Sequence, residues 1–231
     1  MPPVVQYPHG ALCWADLASR DIPTAGAFYA AVVGWQVRPA RDPDAADDFH
    51  LFLSEGQDIA GLWRPYLPGS PTGWTPYFAV DAVDIAAAAA KRLGGSHLRP
   101  PHDVIGIGRT ATIADPQGAV FAVWQPYAFA GSALAAEPAT LHSAHLVTPE
   151  PGSAFAFYME VLGQCPDVNG PDPAGGPARW HLHLAVSDHA VAANAAQHLG
   201  GTVVEVITDR RTAELRDPAG NPFSVSEITG H

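Results

Sequence analysis

Two spacings take turns along this chain, period two and period 3.6. Residues 10–17 (GALCWADL) alternate as a half-buried strand. Asp21-Ile22-Pro23 then supplies a short polar cap and a proline inside the first turn, the start signal of a helix. Residues 24–33 place Ala27, Phe28, Ala31 and Val32 at helical spacing, and Gly34 stops them. Residues 36–40, 49–54 and 59–63 read as strands, the last two closing a hairpin around Glu55-Gly56-Gln57, with residues 41–48 as an acidic loop between. That is one β-α-β-β-β unit. Residues 74–80 begin a second: a strand, Asp81 as helix cap, an Ala-rich helix to Leu93, and a further hairpin.

The hairpin ending that unit recurs. GGSHLRPPHDVIGIGRTATIADPQGAVFAVW (residues 94–124) and GGTVVEVITDRRTAELRDPAGNPFSVS (residues 200–226) share a Gly-Gly, an arginine (Arg109, Arg211) and an Asp-Pro-x-Gly turn (Asp115, Asp217). Proline fixes φ at the first central position and glycine supplies the positive φ that returns the chain as the next strand. The first unit recurs too, Phe28-Tyr29 falling on Phe157-Tyr158. The offset between halves shrinks by about 23 residues before the next strand, where residues 165–179 are too rich in Gly and Pro to form a strand pair. The expected fold is therefore α+β, with tandem βαβββ units in two domains. Residues 8–126 form the first, residues 127–141 a Pro/Ala/Gly-rich linker, and residues 142–229 a second, lacking two or three strands of its first unit. At 231 residues, each half is long enough to bury its own core.

Charge removes some functions. A formal net charge of −11 argues against nucleic acid or an anionic membrane as partner. Cys13 and Cys165 stand alone without CxxC spacing, so neither a disulfide framework nor a thiolate metal site is indicated. The N-terminal residues lack a signal-peptide pattern and no apolar run would span a bilayer, so the expected location is cytoplasmic. The expected partner is a small-molecule ligand, and the expected state a monomer or homodimer.

Two βαβββ units per domain, Phe-Tyr in the first helix followed by Gly34-Trp35, and the Gly-Gly … Arg … Asp-Pro-x-Gly run resemble the vicinal oxygen chelate superfamily of glyoxalases, bleomycin-resistance proteins and extradiol dioxygenases. Within that superfamily, the two tandem domains look most like the actinobacterial glyoxalase-like type. The resemblance implies curved sheets with helices on the convex side and a ligand on the concave side. It places the usual metal ligands on each unit's first strand and seven residues after the turn Asp. Here those positions are Trp14, Thr75, Ser143 and His181, then Ala122 and Ser224, and only His181 is a good ligand. Residues 59–61 supply no carboxylate or imidazole as a further ligand.

Strand parity divides the faces. The first half should present Leu12, Trp14, Asp16, Thr75, Tyr77, Ala122 and Trp124 to the cavity, with Cys13, Phe78, Phe121 and Val123 under the helices. The second should present Ser143, His145, His181, His183, Ser224 and Ser226, with His142 towards the helices. Trp14, Tyr77 and Trp124 around Asp16, with Thr75 and Ala122 beside them, compose a small-molecule site in which Asp16 holds a cation or amine or acts as a general base. Alternatively the aromatic rings fill the barrel themselves and Asp16 caps a backbone amide. His145, His181 and His183 offer a three-nitrogen metal set, or else solvated histidines. Arg109 and Arg211 brace their hairpins, and His189 has no constellation around it. The expectation is a protein that sequesters or helps transform a small organic molecule, with no cofactor. The alternatives are a divalent-metal lyase, isomerase or dioxygenase using Zn, Fe, Mn, Ni or Co on the histidines, and an interaction module built on the truncated half.

Overall fold

Asp21 caps the first helix through the Thr24 N–H, Pro23 sits in its opening turn, and Gly34 ends it in the left-handed region, as the local sequence requires. The structure, a computed structural model, describes residues 6–40, 49–65, 67, 70–165, 167–171 and 175–228. The acidic loop at residues 41–48 lies outside them, as do residue 166 and residues 172–174 of the Gly/Pro-rich stretch and residue 229 at the end of the second half. The first half runs β1 (Leu12–Ala18), α1 (Ile22–Val33), β2 (Gln36–Pro39), β3 (Phe49–Ser54), β4 (Gln57–Trp63), β5 (Gly73–Ala79), α2 (Val83–Arg92), β6 (Ser96–Val104), β7 (Gly108–Ala114) and β8 (Val120–Pro126). The second runs β9 (Leu141–Val147), α3 (Pro151–Leu162), β10 (Asp167–Asn169), β11 (Arg179–Val186), α4 (His189–His198), β12 (Thr202–Ile207), β13 (Thr212–Arg216) and β14 (Pro222–Glu227). Asp81 does not cap α2. Ala82 holds that position, and Asp81 instead pairs with His9 at 3.2 Å.

Consecutive units share a sheet. The first half forms one of eight strands, β2-β3-β4-β1-β5-β8-β7-β6, and the second one of six, β10-β9-β11-β14-β13-β12. Among the described residues, the six-stranded sheet has no counterparts of β2 and β3. In the place of β4, which runs parallel to β1, it has the three-residue β10, parallel to β9. Arg109 on β7 ties Asp103 on β6 to Asp84 on α2, and Arg211 binds Glu227.

The cores are shared between the halves, where the sequence suggests one core for each. One cluster joins Leu17, Phe28, Tyr29, Trp35 and Phe52 to Leu182, Leu184, Ala196, Phe223 and Val225. The other joins Phe78, Val83, Ile113 and Phe121 to Leu146, Phe157, Tyr158 and Trp180. The helices cross over to make this possible, α1 packing on α4 and α2 on α3. Two reciprocal hydrogen bonds accompany the exchange. Tyr158 of α3 donates to Asp115 at 3.0 Å, and Tyr29 of α1 donates to Asp217 at 3.3 Å. Each Asp-Pro-x-Gly turn thus anchors the Phe-Tyr helix of the other half.

Residues 127–140 are a strap with bonds of its own. Ser132 donates to the Cys13 carbonyl at 2.7 Å, Ala133 to Asp58 at 3.0 Å, and Ala139 to Ala185 at 2.8 Å. Tyr7 donates to the Ser132 carbonyl and Trp35 to that of Ala139, both at 2.8 Å. The strap lies over the upper end of the first concave face.

Candidate functional site

Register assembles the first concave face. Trp14 pairs with Tyr77 and Asp16 with Thr75 across β1 and β5, Tyr77 pairs with Ala122 on β8, and Ala122 with Thr112 on β7. A bulge between Leu12 and Trp14 alters the expected parity by one residue. Leu12 turns to the shared cores, and Cys13 joins Trp14 and Trp124 on the concave side. Assigning Cys13 to the helix side and Leu12 to the cavity is therefore corrected.

Asp16 sits at the centre of this face. Its Oδ1 accepts from Trp14 Nε1 at 2.9 Å and its Oδ2 from the Tyr77 hydroxyl at 2.7 Å. Burial pushes its carboxyl above the ordinary aspartate range, and the bonds from Tyr77 and Trp14 pull the other way. Burial and the Asp16 charge raise the Tyr77 hydroxyl well above its ordinary value. The proton between them therefore stays on the phenol. Room for the carboxylate comes from Gly61, where a Cβ would stand 2.1 Å from Asp16 Oδ1.

The aromatic residues expected around Asp16 divide into two groups. Trp14 is 7% exposed and Trp124 6%. Phe129 of the strap meets them edge-on at 5.0 and 6.0 Å, and its carbonyl accepts from Trp124 Nε1 at 2.9 Å. That end of the half-barrel is filled by the protein itself, and Ala122 is wholly buried. The other end is open, with a cleft of about 350 Å³ lined by Asp16, Tyr77, Phe49, Trp63, Arg64, Leu98, Arg99 and Thr112. Of the expected residues, Asp16 and Tyr77 reach it, and Thr75 shares their face. Phe49, Trp63, Leu98, Arg99 and Thr112 went unread in the sequence. Thr112 was accessible to the same parity rule, since β7 alternates beside β8. Phe49 and Trp63 form a cross-strand pair at the end of the first hairpin, and the parallel pairing of β4 with β1, Asp16 opposite Gly61, sets them on Asp16's face.

The second concave face carries the histidines. His145 and His181 stack with centroids 4.8 Å apart, and His183 Nε2 lies 2.9 Å from His145 Nδ1, so one ring donates to the other. Ser224 and Ser226 hydroxyls lie 2.8 and 3.0 Å from His181 Nε2 and His183 Nδ1. Burial, then the neighbouring imidazoles, lowers His181 to about 3 and His183 to about 4, and burial lowers His145. A bulge at His142, the counterpart of the one at Cys13, turns His142 to solvent, which corrects its assignment to the helix side.

Trp14, Thr75 and Ala122 provide no adequate metal-ligand set. In the second half His181 Nε2 is already bonded to Ser224, His145 stacks on His181, and His183 is tilted against both at 55° and 60°. Among the described residues, the His/Cys/Asp/Glu group whose ligand atoms lie within 4.8 Å of one another is Asp188, His189 and Glu227. There Glu227 holds His189 Nδ1 at 2.7 Å and Arg211, an ion-pair arrangement at the start of α4, so His189 does have a constellation.

A family model described as a glyoxalase-like domain matches residues 14–124 and 143–226. The anthracycline biosynthesis proteins DnrV of Streptomyces peucetius and DauV of Streptomyces sp. strain C5 are 33% and 31% identical, covering 97% of this chain and 96% of theirs. Among solved structures, a Mn(II)-bound glyoxalase from Novosphingobium aromaticivorans aligns with a TM-score of 0.63 at 17% identity over 95% of this chain and 81% of its own. The 2,2',3-trihydroxybiphenyl 1,2-dioxygenase of Sphingomonas wittichii aligns with 0.65 at 15% identity over 97% and 93%. At such identities the likeness is one of fold.

Proposed function

This chain belongs to the glyoxalase-like family, and we propose that it binds a small, flat organic molecule in the Asp16 cleft, sequestering it or serving an accessory biosynthetic or detoxifying step without a metal at the family's usual positions. The observation that carries this reading is the cleft itself. A carboxylate held by two donors forms its floor, and Phe49 and Trp63 form flat aromatic walls with Leu98 as an aliphatic one. Aromatic walls supply contact area at little entropic cost, while the few polar groups set orientation. The relatives named for anthracycline biosynthesis support a flat polycyclic ligand, with the chain acting beside the enzymes that build or modify it.

The test is a titration of 2-naphthol and larger flat phenols followed by quenching of tryptophan fluorescence, repeated in Thr112→Trp, which fills the cleft. Saturable one-to-one binding that the variant abolishes is expected. Binding indifferent to the variant would overturn the proposal. So would stoichiometric divalent metal in protein purified without chelators, if His181→Ala removed it.

A further inference from the structure

We propose that the cleft, taken as the small-molecule site described above, holds its ligand in one orientation, a hydroxyl on Asp16 and an anionic group at Arg99, so that flat aromatic hydroxy acids are its ligand class. Both groups line the same cleft, on different strands. Pairing across the sheet sets Arg99 on β6 opposite Thr112, Thr112 opposite Ala122, and Ala122 opposite Tyr77, the donor to Asp16. Asp16 lies on β1, one strand beyond Tyr77, so four strand spacings of about 4.8 Å separate it from Arg99, roughly 19 Å along the curled sheet. Side chains leaning inward from both ends leave a span suited to two fused rings. Thr112, small and partly exposed in the middle of the row, leaves the space over it open.

The charges at the two ends differ in sign. Asp16 spends one bond on each oxygen and keeps lone pairs for a further donor. Its partners among the described residues are the neutral Trp14 and Tyr77, so no cation there competes for it. Arg99 is exposed at the opposite wall, beyond Leu98, and its charge opposes the rise in the Tyr77 hydroxyl. The second arginine of the cleft, Arg64, has a fixed position, Nη1 donating to the Arg20 carbonyl. A ligand carboxylate pointed the other way would meet the buried Asp16 charge at short range, a repulsion that selects against the reversed pose. Phe49 and Trp63 accept either orientation, so direction is set by the charged ends.

Three naphthalenes separate the two ends: 2-naphthol, 2-naphthoate and 6-hydroxy-2-naphthoate, titrated by their own fluorescence against wild type, Arg99→Gln, Arg99→Lys and Asp16→Asn. Wild type should bind 6-hydroxy-2-naphthoate about tenfold more tightly than 2-naphthol, the scale of one charge-assisted hydrogen bond. Arg99→Gln should erase that preference and Arg99→Lys keep most of it. Asp16→Asn should weaken both hydroxyl-bearing probes by about tenfold while moving 2-naphthoate less than about twofold. Melting temperatures verify that each variant is folded. Equal wild-type affinity for 2-naphthol and 6-hydroxy-2-naphthoate, or a preference that survives Arg99→Gln, overturns the orientation and leaves the small-molecule reading standing. Failure of all three probes to bind wild type overturns both.

Discussion

The reciprocal Tyr–Asp bonds make the two halves depend on each other, and Tyr158→Phe with Asp115→Ala measures how strongly. Asp115 Oδ1 accepts from the N–H groups of Gln117 and Ala119 at 2.8 and 2.9 Å, and Oδ2 accepts from the Tyr158 hydroxyl at 3.0 Å. Tyr158→Phe removes one buried bond to a carboxylate and should cost about 1–3 kcal/mol. Asp115→Ala strips the buried Ala119 N–H and the Tyr158 hydroxyl of their acceptor together, for about 3–5 kcal/mol. In the double variant the hydroxyl is gone, so the loss should fall short of the sum by about 1–2 kcal/mol. Urea unfolding followed by tryptophan fluorescence reads all three. The transition should be single, because each core cluster contains residues of both halves. A Tyr158→Phe variant within about 0.3 kcal/mol of wild type, or a strictly additive cycle, would show that the bond contributes nothing to joining the halves.

Gly61→Ala places a Cβ 2.1 Å from Asp16 Oδ1 and should force the carboxylate off Trp14 and Tyr77. Affinity for 2-naphthol should fall about tenfold and stability by about 1–3 kcal/mol, and unchanged affinity would refute the role given to Asp16. Acid should also destabilise the protein through its second half. His181 and His183 fall from the ordinary 6.5 to about 3 and about 4 in the folded chain, so the unfolded chain takes up protons first. Their contribution is complete above pH 6.5 and is lost as pH falls towards 4 and then 3. At pH 5, with carboxylates still largely ionised, each should already cost on the order of 2 kcal/mol. Urea midpoints measured from pH 7.5 to 5 should fall in wild type and roughly half as far in His183→Gln, which keeps His181, and a flat wild-type profile would refute the assignment.

Local rules were enough for much of this chain. The Asp21 cap, the Gly34 stop and the Asp-Pro-x-Gly turns depend on backbone geometry that a few neighbouring residues dictate, and the repeat revealed the tandem βαβββ plan and the missing strands. Alternation also placed Trp14, Asp16 and Tyr77 on one face and His145, His181 and His183 on another, because side-chain direction in a strand has period two. The rule failed at Cys13 and His142, since a bulge is a property of two paired strands and neither sequence announces it. The contents of the site lay further from reach. Whether Trp14 and Trp124 line a cavity or fill it depended on Phe129, which arrives from a strap that composition marks only as a linker. Arg99 meets Asp16's cleft only because an eight-stranded sheet curls, bringing in a side chain from a strand four places away, whereas Trp63 and Phe49 sit on the two strands next to β1, a neighbourhood set by strand pairing that no local pattern specifies. The Tyr–Asp exchange is the clearest case. Both motifs are visible in each half, but that each binds the other half's partner follows from helices packing across the molecule, a long-range contact that no local pattern specifies.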